Sequence, residues 1–218
     1  MNASERINFD YNKLPISCCY FFEDGTKVSL PSGSDAVAEV ISNELGEDRS
    51  KVLKFLERLE KNYNAVYPVF IKVSLHRVGH WLNSNIFKAL KRLPFYGLFS
   101  TMNGVNTSTF NNKKTVQIFN RFATYNGSDP YKSPGMFNII AHLELNVGPF
   151  MPKGGMVAIS DAVYKKAVEM GVDFHFNTRV EEIMHEKGRV TGIKHKRGVL
   201  NCDLVTSNMD VHFTYEKL

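Results

Sequence analysis

The run Phe150-Met151-Pro152-Lys153-Gly154-Gly155-Met156-Val157-Ala158-Ile159 divides the chain into two grammars. Pro152 and the paired glycines mark a turn, since glycine adopts positive φ without steric cost. Val157, Ile159, Ala162, Val163, Ala167 and Val168 then recur at helical steps until Gly171. Beyond that helix, residues 172–176, 180–185, 189–195 and 204–207 carry strand-type patterns. Turns at Asn177, Lys187-Gly188 and Arg197-Gly198 separate them.

Upstream of the divide the spacing is mainly helical. Residues 16–22 and 27–30 flank Asp24-Gly25 and read as a hairpin. After the turn Pro31-Ser32-Gly33-Ser34, a helix capped by Ser34 or Asp35 carries Val37, Val40, Ile41 and Leu45 and stops at Gly46. A second, amphipathic helix presents Val52, Phe55, Leu56, Leu59, Tyr63 and Val66 on one face and Lys54, Glu57, Arg58 and Lys61 on the other. Between 75 and 102, apolar and aromatic residues alternate with His80, Lys88, Lys91 and Arg92, and Pro94 interrupts the pattern. A helix over 80–99 fits a membrane interface, and the same pattern fits a cap over an apolar pocket. The Asn-, Thr- and Ser-rich stretch 103–114 reads as a solvent-facing loop. The fold class expected is α+β: a mixed helical and sheet domain over 1–150, then a β-rich part over 151–218.

Composition narrows the function. The 218 residues are 43% hydrophobic and 22% charged with a net charge of +5, so the chain is long enough to bury a core and is not of a disordered class. Basic residues are scattered rather than clustered, which argues against nucleic acid as a partner. Cys18, Cys19 and Cys202 have neither disulfide-framework nor metal-ligand spacing and read as small buried apolar residues in a reducing compartment. No secretory leader or run of spanning length is seen, so the expected location is cytoplasmic, or peripheral to the inner face of a membrane.

No nucleophile elbow, zinc motif or phosphate-binding lysine loop is present, so any chemistry must come from a bound cofactor. Gly154-Gly155 at a helix start either admits a phosphate or polarised ring to the helix N-terminus or forms a tight packing turn. His142 and Glu144 are either an acid/base pair or satisfied core and rim residues.

Several stretches taken together resemble the phytoene desaturase (carotenoid desaturase) family of FAD-dependent oxidoreductases. They are FATYNGSDPY at 122–131, His142-Leu143-Glu144, FMPKGGM at 150–156, GVDFHFNTRVEEI at 171–183, and CDLVTSNMD at 202–210 with Thr214 and Tyr215. The resemblance implies a substrate domain over 1–150 and part of an FAD-binding domain over 151–218. It implies hydride transfer between the flavin and a carotenoid or other isoprenoid polyene, in either direction. Carried over by motif, Gly154 and Gly155 lie near the flavin, the Val180 backbone reads the adenine edge, and Asn208 and Asp210 lie in a loop beside the ring. Phe122, Tyr125, Tyr131, His142 and Phe150 are the expected substrate-facing residues. No metal is implied. The family's Gly-x-Gly-x-x-Gly turn does not occur before Ile16, so the chain is read as an internal piece of a longer enzyme that on its own holds FAD weakly. Two other readings stand beside this one: a non-enzymatic lipid-binding or membrane-docking module, and part of an amine-oxidase-like flavoenzyme.

Overall fold

The computed structural model describes residues 7–72 and 84–218. The molecule is α+β, as its sequence grammar predicts, with small antiparallel sheets among helices. Strand β1 (Tyr11–Lys13) precedes the expected hairpin, formed by β2 (Ile16–Phe21) and β3 (Lys27–Pro31). Helix α1 (Ser34–Leu45) ends at Gly46, but its cap differs from expectation. Gly33 holds the N-cap position with no side-chain bond, and Ser34 is already helical. Helix α2 (Arg49–Val66) starts on Asp48, whose carboxylate accepts the N–H groups of Ser50 and Lys51. The apolar faces of β3, α1 and α2 meet in one core with Val28, Leu30, Val37, Ile41, Val52, Phe55 and Leu56 fully or almost fully buried.

Helix α3 (Ser84–Lys91) stops before a tight turn at Leu93–Phe95, where Pro94 removes a donor. Residues 80–83 of the expected 80–99 helix lie outside the described residues. The stretch 103–114 is not a loop. It forms most of α4 (Met102–Thr109) and the start of α5 (Lys113–Asn120), and Asn106 is fully buried.

Polar side chains replace apolar signals there. Thr101 caps α4 through Gly104 N–H at 3.0 Å, and Asn112 caps α5 through Lys114 N–H at 2.8 Å. Asn106 donates to Asn120, which donates to Asn103, each at 2.8 Å, joining the two helices by an amide ladder. The ladder brings α5 against the core, where Phe119 stacks on Phe110 at a ring distance of 4.9 Å and meets Phe55 edge to face at 5.0 Å. Turns at Arg121–Asn126, Gly135–Ile139 and His142–Val147 lead to β4 (Phe150–Pro152), which pairs antiparallel with β1.

Met1–Ser160 and Asp161–Leu218 form two compact units. Helix α6 (Val157–Glu169) carries the chain from the first into the second. In the second unit β5 (Val180–Glu186), β6 (Arg189–His195) and β7 (Gly198–Asn201) form a meander. Two expected strands are corrected. Residues 172–176 and 204–207 form no ladder, and the third strand is β7, directly after the Arg197-Gly198 turn. An alternating pattern makes a strand only where a neighbour completes its hydrogen bonds. Helix α7 (Val211–Lys217) closes the unit. Cys18 and Cys202 are half-buried and Cys19 is exposed, so the buried apolar role expected for the cysteines does not hold.

Candidate functional site

In the first unit, β4 and the turn after it bring together three of the predicted residues, Phe150, Gly154 and Gly155. The β1–β4 ladder pairs Lys13 with Phe150 and Tyr11 with Pro152. It sets the Tyr11 and Phe150 rings edge to face at 5.5 Å, with Phe9 6.0 Å from Tyr11. These rings, with Pro152, Met156 and Ile159, line an apolar hollow of ≈290 Å³. Gly154 and Gly155 follow at φ +89° and +83°, a region that side chains oppose. A β-carbon at Gly155 would meet nothing within 4 Å, and one at Gly154 would meet only Ala158 at 3.8 Å. The backbone at the entry to α6 is therefore unobstructed at both glycines.

A second cluster surrounds Phe122 and Tyr125, whose rings stack at 6.1 Å. Phe122 is fully buried in the core and Tyr125 is exposed. The Arg121 guanidinium lies 4.7 Å from the Phe122 ring centre and donates to the Tyr20 hydroxyl at 2.8 Å. It also pairs with Glu144, which accepts the Tyr125 hydroxyl as well. Burial, then the Glu144 carboxylate, holds the Tyr125 phenol above its usual range, and burial does the same to Tyr20. Both phenols stay protonated at neutral pH, Tyr125 as a donor to Glu144 and Tyr20 as an acceptor from Arg121. Tyr131 is exposed on a neighbouring groove with Asn103, Thr107, Phe110 and Arg121.

His142 does not face Glu144. It is buried beside Tyr63, ring centres 5.1 Å apart, and its Nδ1 lies 3.2 Å from the Asn146 amide nitrogen. Burial lowers its pKa, with Glu60 opposing. The two residues thus have separate partners.

Within the second unit, Val180 and Asn208 line one open groove of ≈980 Å³ together with Ile183, Ile193, Leu200 and Phe213. Charged side chains, among them Arg179, Glu181 and Lys196, share its walls, and Val180 stands at the start of β5, where the backbone ladder begins. Asp210 is engaged locally as the α7 cap, accepting His212 N–H at 2.9 Å. The motif reading missed Arg121 and Tyr20, which lie 101 positions apart and carry no local signature.

No family profile matches the chain. Curated proteins do. A 1-hydroxycarotenoid 3,4-desaturase from a Flavobacterium species is 36% identical over 97% of this chain and 43% of its own length. A 4,4'-diapolycopene oxygenase from a Methylomonas species is 29% identical over 91% of this chain and 40% of its own. A neurosporene-forming phytoene desaturase from Cereibacter sphaeroides is 28% identical over 89% and 37%. Over most of its length the chain is similar to named carotenoid and phytoene desaturases and oxygenases. It spans about two fifths of the length of the curated relatives it matches. No helix among the described residues is long and apolar enough to cross a membrane.

Proposed function

We propose that this chain supplies the substrate-handling part, and one edge of the flavin grip, of an FAD-dependent oxidoreductase acting on a carotenoid or related isoprenoid polyene. One observation carries the reading: a single β4–turn–α6 segment joins an aromatic hollow to an unobstructed glycine pair. The relatives' printed activities on carotenoids support it. FAD, when bound, supplies the acceptor for hydride leaving the polyene. The residues present hold and exclude rather than react. Phe9, Tyr11 and Phe150 give an apolar chain a dry wall, Gly154 and Gly155 leave room for a ring, and the Val180 and Asn208 groove suits the adenine end.

The test expresses the reading frame containing this chain in a host that accumulates an acyclic carotenoid. Desaturation lengthens the conjugated system, so the extracted pigment's absorption moves to longer wavelength, and Gly155→Ile abolishes the shift. An unchanged spectrum with the unaltered sequence overturns the proposal, and a move to shorter wavelength reverses the direction assigned to the redox step. The isolated chain is expected to hold FAD only weakly; stoichiometric flavin-fluorescence changes at micromolar concentration would refute that part.

A membrane surface is the second element of the proposal, at the cytoplasmic side. Phe87, Leu90, Leu93, Phe95 and Phe99 are all exposed, and Lys88 and Lys91 share their segment. Charge reversal at Lys88 and Lys91 is expected to reduce co-sedimentation with anionic liposomes, and unaffected binding counts against electrostatic docking. Arg92 is unsuited to that test, because its Nε donates to Asn62 at 2.9 Å.

A further inference from the structure

Beside α2 lies a cavity of ≈220 Å³, and none of the described residues that line it is acidic. Arg58 and Asn62, one turn apart on α2, line it from one helix face, and Phe95, Ser108 and Thr109 stand on other walls.

Arg58 is half-buried, and its guanidinium lies 4.8 Å from the Phe55 ring centre with no hydrogen bond or ion pair among the described residues. Burial pulls its pKa below the ordinary value, and no carboxylate opposes that shift. A second arginine is held against the same walls. Arg92 Nε donates to Asn62 Oδ1 at 2.9 Å, and its guanidinium lies 5.2 Å from the Phe95 ring centre. Arg92 also has no ion pair among the described residues. The surrounding sequence offers none: from Lys61 to Ser128 the chain carries nine Lys and Arg and no Asp or Glu.

Two guanidiniums drawn partly out of water without a counter-charge are costly, and an anion offsets that cost. Their planar N–H forks match the oxygens of a phosphate or a carboxylate. A phosphate monoester carries a charge of about −1.5 to −2, which balances two arginines, whereas a carboxylate balances one. The Ser108 and Thr109 hydroxyls donate to Val105 C=O at 2.9 and 2.7 Å. The donors left for an anion are therefore the arginines and the second N–H of Asn62, whose first goes to Phe95 C=O at 2.9 Å.

We propose that Arg58, Arg92 and Asn62 form a site for a phosphate monoester at this cavity. Free phosphate and an anionic lipid headgroup both present that group. The headgroup source rests on the membrane reading above, since Phe95 both lines the cavity and belongs to the exposed apolar segment; the free source does not.

The full chain is titrated with inorganic phosphate against chloride of equal ionic strength, followed by phosphorus NMR. Phosphate resonances are expected to broaden, with Arg58→Gln weakening binding about tenfold and Arg58→Lys, which keeps the charge, retaining part of it. In a second arm, the chain is sedimented with phosphatidylcholine vesicles carrying phosphatidic acid or an equal charge of oleate. A preference for phosphatidic acid that Arg58→Gln removes, with binding to the oleate vesicles kept, supports the site and assigns it to a headgroup. Phosphate binding without that preference supports the site and assigns it to the free anion. Absence of both overturns the site. Equal binding to the two vesicle types would then leave the membrane reading intact, and no vesicle binding would overturn that reading as well. The phosphate and vesicle comparisons in the unaltered chain decide the matter even where the glutamine variant fails to fold.

Discussion

The two units handle their apolar residues in opposite ways. In Met1–Ser160, Phe55, Phe119 and Phe122 are at most 2% exposed and pack in one cluster with Ile41, Leu56 and Leu145. In Asp161–Leu218, neither α6 nor α7 has a buried residue, and Leu204 and Tyr215 are 79% and 86% exposed. Both units nonetheless form regular hydrogen-bonded elements. The contrast separates two things that are often conflated. Periodicity and local hydrogen bonding suffice to shape a helix or a meander, whereas burial provides most of the stability. The first unit contains its own core. The apolar side chains of the second are left largely exposed.

The largest effect should come from the first unit's centre. Phe119→Ala removes a ring that contacts Phe55, Phe110 and Phe122. It is expected to cost about 3–5 kcal/mol, read as a lowered urea midpoint by circular dichroism. A loss below about 1 kcal/mol would break the comparison, because it would mean this cluster is no tighter than a surface.

Glu47 comes next. Its side chain is buried and its Oε2 accepts the N–H groups of Asn111 and Asn112, each at 2.9 Å, across 64 and 65 positions of chain. Glu47→Ala strands both donors at the start of α5 and should cost about 1.5–3 kcal/mol in the same measurement. The loss should appear as early melting of α4 and α5, seen by hydrogen exchange at Asn106 and Ile118, while the β5–β6 amides are unaffected.

The role of Glu47 also explains where reading the sequence alone fails. The hairpin, α1, α2, β5 and β6 are legible because each announces itself within a few residues, through an Asp-Gly turn, a helical stripe or an alternation. Helices α4 and α5 are not. Thr107, Ser108 and Thr109 return their hydroxyls to backbone carbonyls three or four residues back, and the helices are positioned by Glu47 and the Asn103–Asn120–Asn106 ladder. Those partners are distant in sequence, so local propensity points the wrong way. Strands β1 and β4 are three residues each and exist only through each other. The candidate site divides likewise. The glycine pair is visible as a local motif, but its aromatic neighbours Phe9 and Tyr11, the Arg121–Glu144 pair and the Asn62–Arg92 contact emerge only when the chain is folded.

A pH series sharpens the contrast further. His142 is buried in the first unit, and burial depresses its pKa. The unfolded chain, with an ordinary imidazole near pH 6.5, binds the proton more readily than the folded one. Stability contributed by the neutral ring is therefore complete above about pH 6.5 and is lost as pH falls toward the depressed value. The melting temperature of the unaltered chain should drop more between pH 7 and 5 than that of His142→Asn. Parallel profiles would show that the imidazole is not held neutral by the fold.

The smallest effect belongs to the second unit and is the most revealing. Leu204→Ser replaces a large apolar side chain that is 79% exposed, in a segment without a ladder. Stability should stay within about 0.5 kcal/mol, because little burial is lost. What should change is association. Leu204 borders the groove shared by Val180 and Asn208, and apolar residues left uncovered in this way drive chains together. Sedimentation velocity of the variant should show less self-association than the unaltered chain at equal concentration. A destabilisation comparable to that of Phe119→Ala would instead mean that Leu204 is part of a core, and the distinction between a self-sufficient unit and one needing cover would fail at the residue where it is most exposed.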